Sequence, residues 1–425
     1  MMLINYLTVS VLGIVLLVAI RRNEKSSPLT AFCATWLVSV FLYSLQLYNI
    51  YPISNNTEWI IFLGTGSFCF GYLIINKVKI KEAKKNHSFN WMFVRVLCAL
   101  TILVSIPHYF NSLRTMFQGG LSSAAYKMML VTGEAASGGI WMQFFVRPLE
   151  LIFIGLSGYV FTNKIKERFI FVSGIYFCII KFLSAGSKSA IVFYALIFVF
   201  SGIYKLENQK AEYKIKRERI PMKWKVALTA LVVAFLITMN AVSKNIFKSL
   251  YFYLAGCIPL FDKVINTDFY FNGSHTHGWL SFNGILRFFI NLLELVGINF
   301  DTSEFDRAYS VIVQFEYTNT VAPGVRYNAF TTYLSAFYID YGVTGVILMS
   351  FLFGMIACYI YRRFKMEQTP ARFAQLVIVY YMVVFSIVRF QLSNTVIAIA
   401  FIYATIICYA GNSKYKFVIG TTNDS

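Results

Sequence analysis

Three basic residues lie inside apolar stretches that are long enough to cross a membrane: Arg147, Lys181 and Arg389. Arg147 is followed by Pro148, which frees a backbone carbonyl, and Glu150 stands three residues on, where it could pair with Arg147 along one helix face. Lys181 precedes the turn Gly186-Ser187-Lys188-Ser189, and Arg389 ends its apolar run. An ionised side chain at that depth costs roughly 2.5–3.5 kcal/mol on insertion scales and generally faces a partner or a water-filled cavity. Taken singly, each residue has a plain reading as a snorkelling charge or a local ion pair. All three map to the same half of the membrane, and such a grouping suits an anion at headgroup depth. Arg suits phosphate through its two-pronged donor geometry. A fourth basic residue, Arg95, is one turn from the opposite end of its run and is expected to snorkel.

The other polar residues with chemical potential lie late in the chain. His275 and His277 occur in Gly-Ser-His-Thr-His-Gly, followed by Trp279. The pair could belong to an exposed turn, handle a proton or begin a metal site, although no third ligand stands at a helpful spacing. Four acids follow, Asp301, Glu304, Asp306 and Glu316, mostly solvated by expectation. Further on, Asn328, Thr331, Ser335, Tyr338, Gly342, Gly345 and Met349 share one helical face, polar first and then small. The polar start would line a cavity, and the glycine pair would let a neighbouring helix approach closely. A continuous helix from Asn328 to Tyr361 would be roughly 50 Å long, so it must begin outside the membrane or break near Tyr341-Gly342. Asp340 falls on a different face and reads first as a buried, hydrogen-bonded carboxylate that orients the helix.

These residues need a frame, and composition supplies it. Of the 425 residues, 58 % are hydrophobic and 13 % charged, with a mean hydropathy of +0.62. That balance excludes an ordinary soluble domain. The expected fold is an all-α polytopic membrane protein with about eleven transmembrane helices and one large extracytoplasmic loop. The spans fall near 2–20, 29–50, 58–76, 91–110, 139–162, 168–185, 188–204, 225–242, 333–361, 373–390 and 393–411. The chain thus divides into an N-terminal bundle of about eight helices over 1–242, the loop over 243–330, about three helices over 331–411, and a tail over 412–425.

The formal charge of +19 is topogenic. With the N-terminus outside, the inner loops and tail hold 25 Lys and Arg and the outer loops nine, six of them in 243–330. That is the positive-inside asymmetry, and it places the long loop outside and the tail in the cytoplasm. Nucleic acid is therefore not an expected partner. The basic loop 205–225 reads as an anchor beside anionic lipid. The seven cysteines show no metal spacing or paired framework and read as small interior residues. Within the long loop, Ile246 to Leu254 is aromatic and amphipathic, as expected of a segment lying in the interface plane.

Two stretches carry a family resemblance. Arg326-Tyr327-Asn328-Ala329-Phe330-Thr331-Thr332-Tyr333, followed by Phe337-Tyr338-Ile339-Asp340-Tyr341-Gly342-Val343-Thr344-Gly345, resembles the Asn-x-(Phe/Tyr)-Thr and Phe-Tyr-x-Asp-(Phe/Tyr)-Gly-x-x-Gly segments of the Wzy-type O-antigen and capsular repeat-unit polymerases. Leu250 to Leu254 with Pro259-Leu260-Phe261-Asp262 is a weaker match. Ser184-Ala185-Gly186-Ser187-Lys188-Ser189 is similar to the family's Gly-x-Arg-Ser turn, with Lys188 in the Arg position. The related O-antigen ligases usually carry His before the Asn. Here that position is Tyr327, which favours the polymerase.

The resemblance implies a membrane glycosyltransferase acting on undecaprenyl-pyrophosphate-linked oligosaccharides at the outer leaflet of a bacterial inner (plasma) membrane. Arg147, Lys188, Arg326 and Arg389 would hold the departing pyrophosphate. His275, His277 or Glu316 would assist deprotonation of the attacking sugar hydroxyl. Tyr327, Asn328, Thr331 and Asp340 would border the substrate cavity. No metal or other cofactor is implied. The expected partners are the lipid-linked oligosaccharide, membrane lipid and a chain-length regulator. The rival readings are a lipid-oligosaccharide flippase and an O-antigen ligase. Against the flippase, the chain shows no internal repeat of the kind common in transporters.

Overall fold

The structure, a computed structural model, describes residues 3–80, 89–119, 139–185, 194–204, 246–266, 275–303, 306, 319–327 and 331–410. Its helices are α1 (Leu3–Arg21), α2 (Pro28–Ser44), α3 (Asn55–Lys77), α4 (Trp91–Gln118), α5 (Arg147–Thr162), α6 (Arg168–Ala185) and α7 (Tyr194–Tyr204). Then come α8 (Ile246–Ala255), α9 (Cys257–Asn266), α10 (Asn283–Leu295), α11 (Thr332–Glu367), α12 (Pro370–Val384) and α13 (Thr395–Ala410). Among the described residues, six helices are long and apolar enough to cross a membrane, and three shorter apolar helices accompany them. The chain is a helical membrane protein. The expected span at 225–242 lies outside the described residues, as does the start of the one at 188–204.

Local chemistry sets the helix starts. Ser27 caps α2 by accepting from the Thr30 N–H at 3.2 Å, with Pro28 in the first helical position. Thr369 and Pro370 repeat this arrangement at α12. At α3 the cap is reinforced from outside the bundle. The Asp262 carboxylate of α9 accepts from the Ser54 N–H and hydroxyl, both at 2.9 Å, and from the Thr57 hydroxyl at 2.6 Å. A carboxylate at a helix N-terminus is favoured by the helix dipole, so α9 is fastened to the membrane bundle at this end.

The helices pack in two groups joined by α12. One contains α1, α2, α3 and α11, and the other α4, α5, α6 and α13. Some 83 % of the α12 span is buried, which makes it the central post. The interior is aromatic: Phe32 stacks on Phe68 at 3.7 Å, and Trp36, Tyr333, Phe337, Phe353 and Phe390 pack around them edge to face. Trp36 donates to Ser386 at 2.9 Å and the Tyr333 hydroxyl to the Gly64 carbonyl at 3.1 Å, so the buried polar tips are satisfied.

The small residues that allow close helix approach are not the pair expected from sequence. A Cβ at Gly71 of α3 would strike the Phe351 carbonyl of α11, and one at Gly354 would strike the Phe68 carbonyl of α3. These two glycines let α3 and α11 cross backbone to backbone. Gly345 instead lies against Phe337 and Tyr341 of its own chain segment, and Gly342 lies against His275. That pair serves a break within α11. Because the obstacle at Gly354 is backbone, Gly354→Leu is expected to cost at least the 1–3 kcal/mol typical of overpacking. It should lower the thermal midpoint of the detergent-purified protein well below that of the control Leu352→Ala, at an exposed position on the same membrane-spanning helix.

The long loop is built rather than open. Helix α8 rests on α2, with Tyr251, Phe252 and Ala255 buried and the Tyr251 hydroxyl accepting from the Leu47 N–H at 3.1 Å. Protein therefore takes Tyr251 and Phe252 of the aromatic segment, while Phe247 and Tyr253 stay exposed. A short antiparallel pair, β1 (Thr320–Ala322) and β2 (Val325–Arg326), closes the loop around Pro323-Gly324, where Gly324 has φ +69. The pair is tied down by Tyr51 N–H to the Val321 carbonyl at 2.9 Å and Lys263 to the Thr320 carbonyl at 2.6 Å.

Candidate active site

Helix α11 breaks where its length requires it to. Tyr341 (φ −145, ψ 17) and Gly342 (φ 63, ψ −152) leave helical geometry, and Gly342 takes a conformation open essentially to glycine alone. The segment 275–281 lies against this break. The Ile339 and Asp340 carbonyls accept from the Thr276 and His277 N–H groups, each at 3.2 Å. Donors from outside the helix thus serve carbonyls at the point where helical bonding is interrupted.

Asp340 locks the same segment through its side chain. Its carboxylate is fully buried, and it accepts from the Thr276 hydroxyl at 2.5 Å, the Leu280 N–H at 3.1 Å and the Ser281 N–H at 2.7 Å. This is the orienting carboxylate read from the sequence. The companion expectation, that Asp340 borders the substrate cavity, is corrected: its oxygens are enclosed and engaged by the loop, so it positions the loop.

The two histidines are held differently. His275 Nδ1 is 3.2 Å from the Ile339 carbonyl, which can only accept, so Nδ1 is the donor of that contact and Nε2 is the acceptor of the neutral ring. The Cε1–Nε2 edge lies against Gly342, where an added Cβ would come within 3.3 Å of both atoms. His277 has a left-handed backbone (φ 48), and its ring meets that of Tyr341 at 6.4 Å between centroids. Both histidines are exposed. Among the described residues no three His, Cys, Asp or Glu side chains form a group able to hold a metal.

The intramembrane charges form a second grouping. Helix α5 is entered through a π-helical turn, Met142–Val146, which places Arg147 at its start. Glu150 does not pair with Arg147 along the helix. It turns across to α6 and α4, meeting Lys181 at 2.7 Å and accepting from the Tyr109 hydroxyl at 2.5 Å. The reason is burial. Glu150 is fully buried, and the bundle offers it a cation and a hydroxyl on facing helices. Arg147 stands at the start of α5, one turn before Glu150. Arg95 makes a two-point ion pair with Glu167, at 2.8 and 2.6 Å, near the opposite end of the bundle.

The remaining expected site residues are distributed as follows. Arg389 follows the turn that ends α12, and its backbone bridges to Thr332 at the start of α11. Thr331 is buried and accepts from Ser335 at 2.9 Å, so the polar start of that face is turned into the protein instead of lining an open cavity. Tyr327 is likewise interior. Its ring fills the space beside Gly256, its hydroxyl donates to the Tyr253 carbonyl at 3.2 Å, and burial pushes its phenol well above the ordinary value. Arg326 is exposed on β2. Lys188, Asn328 and Glu316 lie outside the described residues, as does Glu304. Asp301 accepts from the Ser303 N–H at 3.0 Å, a bond that holds its carboxyl below the usual range. Asp306 pairs with Arg287 at 3.7 Å.

The sequence reading missed three contributors. Thr276 was overshadowed by its flanking histidines, although a carboxylate in an apolar run demands such a donor. Tyr109 carries no local signal, being one aromatic among many in α4. Asp262 stands out in the sequence only as part of a motif, and its role at the α3 cap depends on a contact 208 residues away. Comparison of the chain with protein-family models, with curated proteins and with solved structures finds no match.

Proposed function

We propose that this chain is a membrane glycosyltransferase that polymerises lipid-linked oligosaccharide repeat units at the outer leaflet of a bacterial plasma membrane, with its N-terminus outside and its tail inside. One observation carries the reading. The Asp340-Tyr341-Gly342-x-x-Gly345 segment, on which the polymerase resemblance rests, is the segment that forms the break in α11 and receives the His275 loop. The best-oriented candidate base and the family-like motif therefore meet at one place.

The chemistry follows from that placement. A hydroxyl of the incoming lipid-linked repeat unit attacks the anomeric carbon of the growing glycan. The bond from that carbon to the pyrophosphate oxygen breaks, undecaprenyl pyrophosphate departs, and the hydroxyl proton passes to His275 Nε2. Arg147, Arg326, Arg389 and Lys188 are assigned to the charge that builds on the leaving pyrophosphate, where preorganised cations are most effective. A chain-length regulator is the further partner of this reading.

A positioned general base contributes typically 10²–10⁴-fold. His275→Ala is therefore expected to lower the polymerisation rate by at least ~10²-fold, while His277→Ala costs less than ~10-fold, both scored by incorporation of labelled repeat units at matched protein level. Equal effects of the two substitutions would remove the basis for choosing His275. The function itself is tested by the surface glycan of cells from which the gene is deleted. A single repeat unit capping the acceptor is the expected product. Complete loss of surface sugar would point to a flippase, and long polymer retained on the lipid carrier to a ligase.

A further inference from the structure

Helix α10 has three faces, and only two have an occupant. One face, with Asn283, Leu286, Ile290 and Leu293, is turned to protein, Asn283 and Ile290 being buried; Gly284 in the first turn also sits against the Leu392 and Asn394 carbonyls ahead of α13, and Phe288 meets Phe144 at 5.2 Å. A second face carries Arg287, Asn291 and Glu294, spaced to form a polar stripe. The third face is apolar and bare, with Phe289 53 %, Leu292 41 % and Leu295 64 % exposed, and Val296 follows at 71 %. Such a stripe is costly in water and asks for a cover.

The position of the helix identifies the cover. Helix α10 contacts the π-helical entry to α5 through Phe144, the turn between α12 and α13, and α13 itself, with Ala398 in the first turn of α13 beside Gly284, so it sits at one end of these apolar segments. The opposite end of α5 meets the loop between α11 and α12, where the Tyr159 hydroxyl donates to the Gln368 carbonyl at 2.8 Å and Arg363, Glu367 and Arg372 form ion pairs. Helix α10 thus lies at the end away from that basic loop. Beside it at the start of α5, Ile140, Trp141 and Phe145 are also exposed, Trp141 to 68 %, as aromatic side chains are at the level of lipid headgroups. The bare face continues this lipid-facing rim. We propose that α10 is an in-plane membrane helix whose Phe289, Leu292 and Leu295 face is seated in the outer headgroup and acyl boundary, with Arg287, Asn291 and Glu294 turned to water. The partner is the lipid surface itself. Helix α10 follows the His275 segment directly, so its seating would hold that segment at headgroup depth.

The test uses the full chain reconstituted in phosphatidylethanolamine–phosphatidylglycerol nanodiscs. All seven native cysteines are buried, so single cysteines introduced as Phe289→Cys, Leu292→Cys, Leu295→Cys, Asn291→Cys and Glu294→Cys can each carry a spin label. Labels at 289, 292 and 295 are expected to show high accessibility to oxygen and low accessibility to a water-soluble nickel chelate, at a depth of about 5–10 Å. Labels at 291 and 294 should show the reverse, with a several-fold difference in the accessibility ratio. The five positions are read independently, and any variant that loses monodisperse elution is set aside in favour of the others on its face. Equal nickel accessibility on both faces would overturn the proposal. So would labels at 289 and 292 shielded from both reagents, since that would mean a second copy or another protein covers the face.

Discussion

Asp340→Ala is expected to abolish polymer formation and to lower the thermal midpoint of the purified protein. Three donors converge on this carboxylate, and it is fully buried, so alanine strands the Leu280 and Ser281 N–H groups and the Thr276 hydroxyl away from water. Hydrogen bonds to a charged group contribute about 1.5–3 kcal/mol each, and leaving the partner unsatisfied adds to the loss. The substitution should therefore cost several kcal/mol locally and release the segment 275–281 from the break in α11. Asp340→Asn tests positioning against simple stability. It keeps the shape and one acceptor oxygen but turns an NH2 group toward donors, so it should be better folded than the alanine variant yet still slow. The informative readout is a fall in turnover with little change in the concentration of lipid-linked substrate needed for half-maximal rate. Full activity of both variants would show that the loop does not depend on Asp340.

The second large effect is expected at Glu150. Removing one member of a buried ion pair while leaving the other typically costs about 3–5 kcal/mol. Glu150→Ala leaves Lys181 at the α4–α5–α6 junction without its carboxylate and removes the acceptor of the Tyr109 hydroxyl. The double variant Glu150→Gln, Lys181→Met removes both charges and keeps the volumes close, so most of the stability should return. A thermal double-mutant cycle measures this directly. Additive losses in the cycle would mean the pair is not coupled. Lys181 is engaged with Glu150 in this way, at 2.7 Å.

Much of the architecture was legible because one physical quantity governs it. Apolar runs of membrane-crossing length fall at 3–21, 55–77, 139–162 and 370–387 within a few residues of where hydropathy places them. The break at Tyr341-Gly342 was legible for a related reason, since a helix of that length cannot lie straight within one bilayer and Gly342 can take the required backbone. Pairings between distant segments were not legible. The spacing of Arg147 and Glu150 along one helix is visible in a sequence, whereas Lys181 and Tyr109 reach Glu150 only after three helices have packed. The α3–α11 crossing at Gly71 and Gly354 was hidden for the same reason, because neither glycine differs locally from Gly342 or Gly345. The polarity of Thr331 and the motif resemblance at Tyr327 both point to a cavity lining, but hydrogen bonds to Ser335 and Tyr253 let the interior accept these residues. Aromatic content points to α8 as an interfacial segment. The protein covers Tyr251 and Phe252 there but leaves Phe247 and Tyr253 exposed, and it also leaves bare the apolar face of α10.

Polymerisation by the isolated protein tests the central claim most directly. The chain, purified and reconstituted in liposomes, is supplied with labelled undecaprenyl-pyrophosphate-linked repeat units extracted from cells that lack it. The predicted result is a ladder of lipid-linked products spaced by one repeat unit, formed without added metal or nucleotide and lost with His275→Ala. Movement of the repeat unit across the bilayer with no change in its length would contradict the account.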